Sequence, residues 1–354
     1  MSDPAAHCVG LNQQHPQNRR ATTENSVKMA QIKLPTARLG KNGPQVTRLG
    51  YGAMGLSAMY GALKPDAERF RVLDTVYQEG DLFWDTADIY GDSEELIGKW
   101  FKQNPGKREE VFLATKFALS VDAAGNFNTR SDPEYVREAC EKSLKRLNVD
   151  YIDLYYCHRL DQKTPIEKTV EALKQLKQEG KIKCIGLSEC SSDSLRRACK
   201  VEHIDAIQIE YSPFSLDIES EQIGLLKTAR ELGVAIVAYS PLGRGMLTGQ
   251  IRNPDDLAMD DMRKYAPRSS PENFPHNLKL VDRLSEIAKT KGCTASQLTL
   301  AWILAIGENV RALEVDLNEE EEREIRKACQ EAEPAGGRYP EEYASTLYAD
   351  IPPL

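Results

Sequence analysis

Four side chains stand in or just beyond apolar runs, in a pattern that suits proton chemistry. Asp85 and Tyr90 lie in "LFWDTADIYGDSEELIGKW" (82–100), Lys116 in "VFLATKF" (111–117), and His158 ends "IDLYYCH" (152–158). A free phenol, with a pKa of about 10, is a poor acid at neutral pH. An ammonium beside it favours the phenolate and draws that pKa down. A carboxylate would hold the lysine in place, and an imidazole can hydrogen-bond a substrate oxygen. Together the four would polarise and protonate a carbonyl while another agent supplies a hydride. Singly, each has an ordinary explanation: a solvated strand-end lysine, a tyrosine packed at a rim, a structural histidine. The conjunction carries the argument, because unpaired charges in apolar runs are costly. On adjacent strands Asp85 and Lys116 would neutralise each other.

For these residues to meet, the chain must bring strand ends together. Short apolar runs at 45–52, 82–87, 111–117, 152–158, 182–188, 206–212 and 234–240 read as strands. Helical stretches separate them at 66–79, 93–102, 132–147, 165–179, 191–200 and 219–232. Pro65 precedes the first, and Asp92 or Ser93 caps the second. Such alternation means parallel strands with helical crossovers, and near-continuous apolar strands mean that both sheet faces are covered. The expected class is α/β, a (β/α)₈ TIM barrel over residues 35–338, with an open doubly wound sheet as the alternative. A barrel gathers its active site at the strands' C-terminal ends. There lie Asp85, Tyr90, Lys116, His158, Ser188, Glu189, Gln208, Tyr239 and Ser240. "GYGAMG", with Gly50, Gly52 and Gly55, matches a dinucleotide fingerprint literally. No helix opens at these glycines, and Phe70 stands where the acidic residue belongs. They read better as a loop passing close to a ligand.

The rest of the composition narrows the classes. The chain has 354 residues and a formal charge of −8, which argues against a general nucleic-acid binder. No apolar run reaches the length of a membrane span. Eight scattered cysteines without a CxxC pair suit reduced thiols in a cytoplasmic protein, with no metal site. Residues 1–33 read as a disordered tail, not a secretory signal, with Met29 as a second candidate start. Residues 34–335 read as the barrel domain and 336–354 as a Pro/Gly/Tyr-rich tail over the surface. "EEEERE" (319–324) reads as the solvated start of a helix capped by Asn318, and Asp260, Asp261, Arg263 and Lys264 as exposed loop charges. The expected partner is a small-molecule substrate, and the expected state a monomer or weak homo-oligomer.

"DTADIY", "ATK", "YYCHR", "GLSE", "IQIEYSPF" and "AYSPLGRG" occur in the order found in the aldo-keto reductases. The chain resembles that family over about residues 34–335, nearest its pyridoxal-reductase-like and perakine-reductase-like branch. The resemblance implies reduction of aldehydes or ketones with NADPH and without a metal. It implies Tyr90 as proton donor, Asp85 and Lys116 as its supporting pair, and His158 as the group that orients the carbonyl. Ser188, Glu189 and Gln208 would line the nicotinamide site, with Ser188 and Gln208 holding the carboxamide. Tyr239 would stack on the ring, and Ser240, Pro241, Leu242, Gly243 and Arg244 would wrap the pyrophosphate. Gly52 and Met54 would border the cofactor, and Met54, Tyr60, Tyr90 and Arg159 the substrate. A non-catalytic regulatory or binding protein on the same scaffold is the alternative.

The resemblance also exposes a gap. An eighth strand and its helix, which would carry the cations for the 2′-phosphate, are not found. Gly307-Glu308-Asn309 runs straight into "VRALEVDLNEEEE", short by about fifteen to twenty residues of the repeating unit. A skipped exon and a genuine shortened variant both produce this join. Either leaves an incomplete barrel with impaired NADPH binding.

Overall fold

The computed structural model describes residues 34–121, 127–306, 315 and 317–354. Its central sheet has seven parallel strands: β1 (Tyr51–Gly52), β2 (Phe83–Asp85), β3 (Phe112–Phe117), β4 (Ile152–Cys157), β5 (Ile182–Ser188), β6 (Ala206–Glu210) and β7 (Ala235–Tyr239). Neighbours in the sheet follow chain order from β1 to β7. Between them run α1 (Asp66–Gln78), α2 (Ser93–Gln103), α3 (Pro133–Leu147), α4 (Ile166–Gln178), α5 (Ser192–Val201) and α6 (Leu225–Leu232). Local chemistry sets several helix ends. The Asp132 carboxylate accepts from Tyr135 N before α3, which stops at Asn148 in the left-handed region. Ser191 caps α5. Asp92 stands at the N-cap of α2 without capping it, because its carboxylate is held by Arg69.

Side chains along a strand alternate between faces. Phe83, Ala114, Leu154, Tyr156, Cys184 and Ala206 form one cluster with Leu39 and Val46. Trp84, Leu113, Tyr155, Ile185 and Ile207 belong to the larger cluster shared with the helices. The first set fills the barrel interior. Leu39 and Val46 close its lower end from a hairpin that pairs Thr36–Arg38 with Gln45–Thr47.

Several expectations change. The single strand expected over 45–52 is two: Gln45–Thr47 belongs to the hairpin, and only Tyr51–Gly52 joins the barrel. The helix expected from 219 starts at Leu225, after a 3-10 turn at Asp217–Glu219. Asp261 is buried, because its carboxylate pairs with Arg263 and caps the turn that follows. Residues 336–354 are more than a surface cover: Ala349 pairs with Cys190 at the end of β5, and Ala349 and Ile351 are buried.

Among the described residues β1 and β7 are sheet edges. Every residue of β7 is partly exposed, whereas its neighbour β6 is buried throughout. After β7 the chain runs through short 3-10 turns between 243 and 269. Then come α7 (Phe274–Thr290), α8 (Ala295–Ile306) and α9 (Glu319–Ala332), which share a second core around Leu284, Trp302 and Ile325. Asn318 caps α9 in a capping box with Glu321, as its sequence implied. The junction read as the missing eighth unit, 307–314, lies outside the described residues, as does the N-terminal tail. Among the described residues no helix is long and apolar enough to cross a membrane, and every described cysteine is free.

Candidate active site

Strand register brings the predicted residues together. Asp85 pairs with Ala114, Lys116 with Tyr156, Ser188 with Gln208, and Tyr239 with Glu210. Each is the last or nearly last residue of its strand, in step with the inward-facing set. The period of two therefore points Asp85, Lys116, Ser188, Gln208, Glu210 and Tyr239 into the barrel mouth. His158 continues the same parity one residue beyond β4, and its N–H donates to Phe117 O at 2.8 Å.

The Lys116 ammonium is fully buried and forms an ion pair with Asp85, and it also donates to Thr86 O at 2.9 Å. Burial lowers the lysine pKa, but Asp85 and Tyr90 more than offset this, so it stands above the ordinary value. The Tyr90 ring centroid lies 5.0 Å from Lys116 Nζ and 5.7 Å from the His158 ring, which it meets edge-on. The expectation that Lys116 would bring Tyr90 below the usual phenol range is not met. Burial pushes the phenol up, Lys116 pulls it down, and Asp85 pushes back, leaving it above 10. His158 is driven well below its usual range by burial and by the neighbouring Arg159 and Lys116, so it is neutral at physiological pH. Its Nδ1 is buried without a protein partner, which ordinarily marks a place for water or ligand.

The remaining predicted residues line the same mouth. Gln208 Nε2 donates to Asp85 Oδ2 at 2.8 Å. Ser188 Oγ accepts from Arg159 Nη1 at 3.3 Å. Tyr239 donates to Glu189 Oε1 at 2.7 Å. Beyond β7, Ser240, Gly243, Arg244 and Gly245 all have positive φ. At Gly243 a Cβ would come within 2.7 Å of the Phe214 ring, so both its torsion and its surroundings require glycine. Next to this loop is a narrow slot of about 40 Å³ lined by Arg244, Arg263, Arg268, Arg338 and Glu210. Each of these arginines already faces a carboxylate: Arg244, Arg268 and Arg338 lie within 3.5 Å of Glu210, and Arg263 pairs with Asp261. Gly52 faces open space, and Met54 begins the short helix Met54–Ser57 just beyond it. Tyr60 lies under the Arg263 guanidinium, 4.8 Å from its ring centroid, and burial pushes its phenol above the ordinary value.

Sequence reasoning missed Glu210, Arg268, Arg338 and Tyr339. Arg338 donates to both oxygens of Glu189 at 2.9 and 3.1 Å, and Arg244 and Arg338 approach Glu210 at 3.2 and 3.5 Å. Tyr339 lies 3.2 Å, hydroxyl to hydroxyl, from Tyr239, with Arg244 4.3 Å over its ring. Two signals were available: Glu210 ends the apolar run of β6, and in "GGRYP" an arginine and a tyrosine interrupt a turn-like stretch. A larger cavity of about 520 Å³ lies outside the barrel between α2 and α3, lined by Lys99, Lys102, Lys142, Lys145 and Arg146. These cations lie toward the helices' C-terminal ends, where they complement the helix dipoles, and none of the predicted site residues lines it. Among the described residues no cluster suits a metal ion.

A sequence model described as "Aldo/keto reductase family" matches residues 48–330. The chain is 50% identical to aldo-keto reductase str7 of Strobilurus tenacellus, covering 86% of this chain and 95% of that one. It is 45% identical to the Schizosaccharomyces pombe aldo-keto reductase yakc, whose name carries NADP(+), covering 91% and 99%. The first alignment spans 326 positions yet uses only 86% of 354 residues, so some of its positions have no counterpart in this chain. Among solved structures, a glycerol dehydrogenase of Gluconobacter oxydans superposes with a TM-score of 0.72 at 26% identity, covering 92% of this chain and 99% of that one. The holo form of a Bacillus halodurans aldo-keto reductase gives 0.65 at 27% identity, covering 83% and 96%.

Proposed function

The chain belongs to the aldo/keto reductase family, and from that premise we propose that it reduces aldehydes or ketones to alcohols with NADPH, Tyr90 acting as the proton donor. The observation that carries this reading is the buried Lys116–Asp85 ion pair beside Tyr90, with His158 edge-on to the same ring. NADPH, when bound, supplies the hydride that the carbonyl carbon accepts. Tyr90 gives its hydroxyl proton to the carbonyl oxygen as negative charge grows there. With its pKa above 10, Tyr90 carries that proton throughout the neutral range. Lys116 remains an ammonium and stabilises the phenolate left behind, while Asp85 keeps the lysine charged and in place. Neutral His158 hydrogen-bonds the carbonyl oxygen and fixes its approach.

The cofactor reading rests on residues that fit it. The buried His158 Nδ1 has no protein partner, and the loop after β7 has positive φ at Ser240, Gly243 and Arg244, a backbone form that can turn N–H groups toward an anion. Ser188 and Gln208 would hold the carboxamide, Tyr239 would meet the nicotinamide ring, and the 240–244 loop would follow the pyrophosphate. Gly52, Met54 and Glu189 border the same space.

The test is oxidation of NADPH by the full chain with a simple aromatic aldehyde, alongside Tyr90→Phe. Turnover that disappears in the variant supports the reading. A wild type that binds NADPH but never turns over would favour the non-catalytic alternative on this scaffold.

A further inference from the structure

The Glu189 side chain is fully buried at the end of β5, yet Glu189 touches three other parts of the chain. Its backbone is in the left-handed region at φ 51°, an unfavourable place for a non-glycine residue. Two backbone bonds hold it there: its N–H donates to Gln208 O at 3.2 Å, and its carbonyl accepts from Ala349 N at 3.0 Å. Arg338 grips its carboxylate with both guanidinium nitrogens, and Tyr239 donates its hydroxyl to one of the same oxygens. Gly336, two residues before Arg338, has φ +83°, and a Cβ there would lie 2.7 Å from Pro267 O and Asn273 Nδ2. Only glycine lets this segment approach so closely.

We propose that Arg338 is a positioning residue for the cofactor: through Glu189 it fixes the hydroxyl, and hence the position of the ring, of Tyr239. The inference rests on the reading that Tyr239 meets the nicotinamide. A phenol ring swings about its side-chain torsions unless its far end is anchored, and here the anchor is a carboxylate. That carboxylate stays ionised in a buried site because Arg338 faces it. Among the described residues the other titratable or charged groups around it are Cys190 next in the chain, Arg159 beyond β4, Glu210 on β6, Tyr239 on β7, and Tyr339 and Tyr348 from the C-terminal segment. Burial raises the Glu189 pKa, and Arg338 and Arg159 bring it below the usual carboxylate range. Without Arg338 the carboxylate loses its main partner and takes a proton more readily. A neutral carboxyl no longer gripped by Arg338 is free to turn and accepts from Tyr239 more weakly than a carboxylate, so the ring is held less firmly.

The test uses the full chain with Arg338→Met, Arg338→Lys, Tyr239→Ala and the double variant Glu189→Gln with Arg338→Met. NADPH affinity is read by fluorescence titration across pH 6 to 8, with KM, kcat and thermal midpoint alongside. Arg338→Met is expected to weaken NADPH binding by on the order of tenfold, with a pH dependence the wild type lacks and a much smaller change in kcat. Arg338→Lys should recover part of the loss. The double variant should show no pH dependence, because its amide does not titrate and still offers Tyr239 an acceptor. Unchanged affinity in Arg338→Met overturns the proposal, as does an affinity loss that merely follows the thermal midpoint. If Tyr239→Ala leaves NADPH affinity unchanged, the reading of Tyr239 fails and takes this inference with it. If Tyr239→Ala weakens binding and Arg338→Met does not, only the present inference fails.

Discussion

Gln208 and Asp85 are joined by a 2.8 Å hydrogen bond, although they come from β6 and β2 and stand 123 residues apart. Lys116 holds the other oxygen of the same carboxylate. The residue expected to hold the nicotinamide carboxamide thus touches the group that holds the lysine beside Tyr90. Cofactor site and proton donor are coupled through a single carboxylate.

Tyr90→Phe removes the transferable proton while keeping the ring against His158. Carbonyl reduction should fall by about 10²- to 10⁴-fold, the usual contribution of a positioned general acid, with NADPH affinity little changed. A steady-state assay paired with a fluorescence titration separates the two effects. Equal turnover in both proteins would remove Tyr90 from the reaction.

Lys116→Met leaves Asp85 with Gln208 as its remaining side-chain partner. Breaking a buried pair from one side costs about 3–5 kcal/mol, and the cost here falls toward the lower end because the Asp85 side chain is 15% exposed. Urea unfolding measures it. The combined Asp85→Asn, Lys116→Met variant should be more stable than Lys116→Met alone.

The pH dependence of reduction follows from two directions of shift. Tyr90 is needed protonated, and its pKa lies above the ordinary phenol value, so donor capacity is lost only as pH rises beyond about 10. His158 is needed neutral, and its pKa lies well below 6.5. The rate with saturating cofactor should therefore be flat from pH 6.5 to 9. A loss of rate on raising the pH through 7 would contradict the Tyr90 assignment, and a loss on lowering it through 7 the His158 assignment.

Asp88, two residues before Tyr90, has its carboxyl pushed up to about 8 by burial and by Glu94. In the unfolded chain it titrates near 3.8. Between these values the folded state holds a proton that the unfolded state has released, so this group's contribution to stability falls as pH rises from 4 to 8. Asp88→Asn should gain stability relative to wild type over that window, with no further gain above it. Denaturation midpoints at pH 5, 7 and 9 give the comparison.

NADPH is expected to bind weakly but measurably, with little preference over NADH, because no stretch of the sequence reads as the unit that would carry the 2′-phosphate cations. Parallel fluorescence titrations with the two dinucleotides decide this. Tight binding that depends on the 2′-phosphate would show that other cations, such as the arginines beyond β7, serve in their place.

Much of the site was legible because it is written in strands. A strand's period is two, so charged or polar residues that end an apolar run in step with its inward face must emerge at the barrel mouth. Asp85, Lys116, His158, Ser188, Gln208 and Tyr239 were singled out as polar residues in or at the ends of apolar runs, and the order of the motifs supplied the family. The first strand was misread because Gln45–Thr47 and Tyr51–Gly52 are separated only by bends, which leave little trace in composition. The C-terminal segment was misread because its composition is that of an ordinary surface tail.

The sequence by itself determined the alternation of strands and helices, the placing of the catalytic candidates at strand ends and the family, all of which depend on patterns a few residues long. Only the tertiary structure decided that Arg338 closes on Glu189 from 149 residues away, that Gln208 reaches Asp85, and that burial outweighs Lys116 in setting the Tyr90 pKa. Contacts between distant segments and the degree of desolvation are properties of the assembled barrel mouth, and no local pattern encodes them.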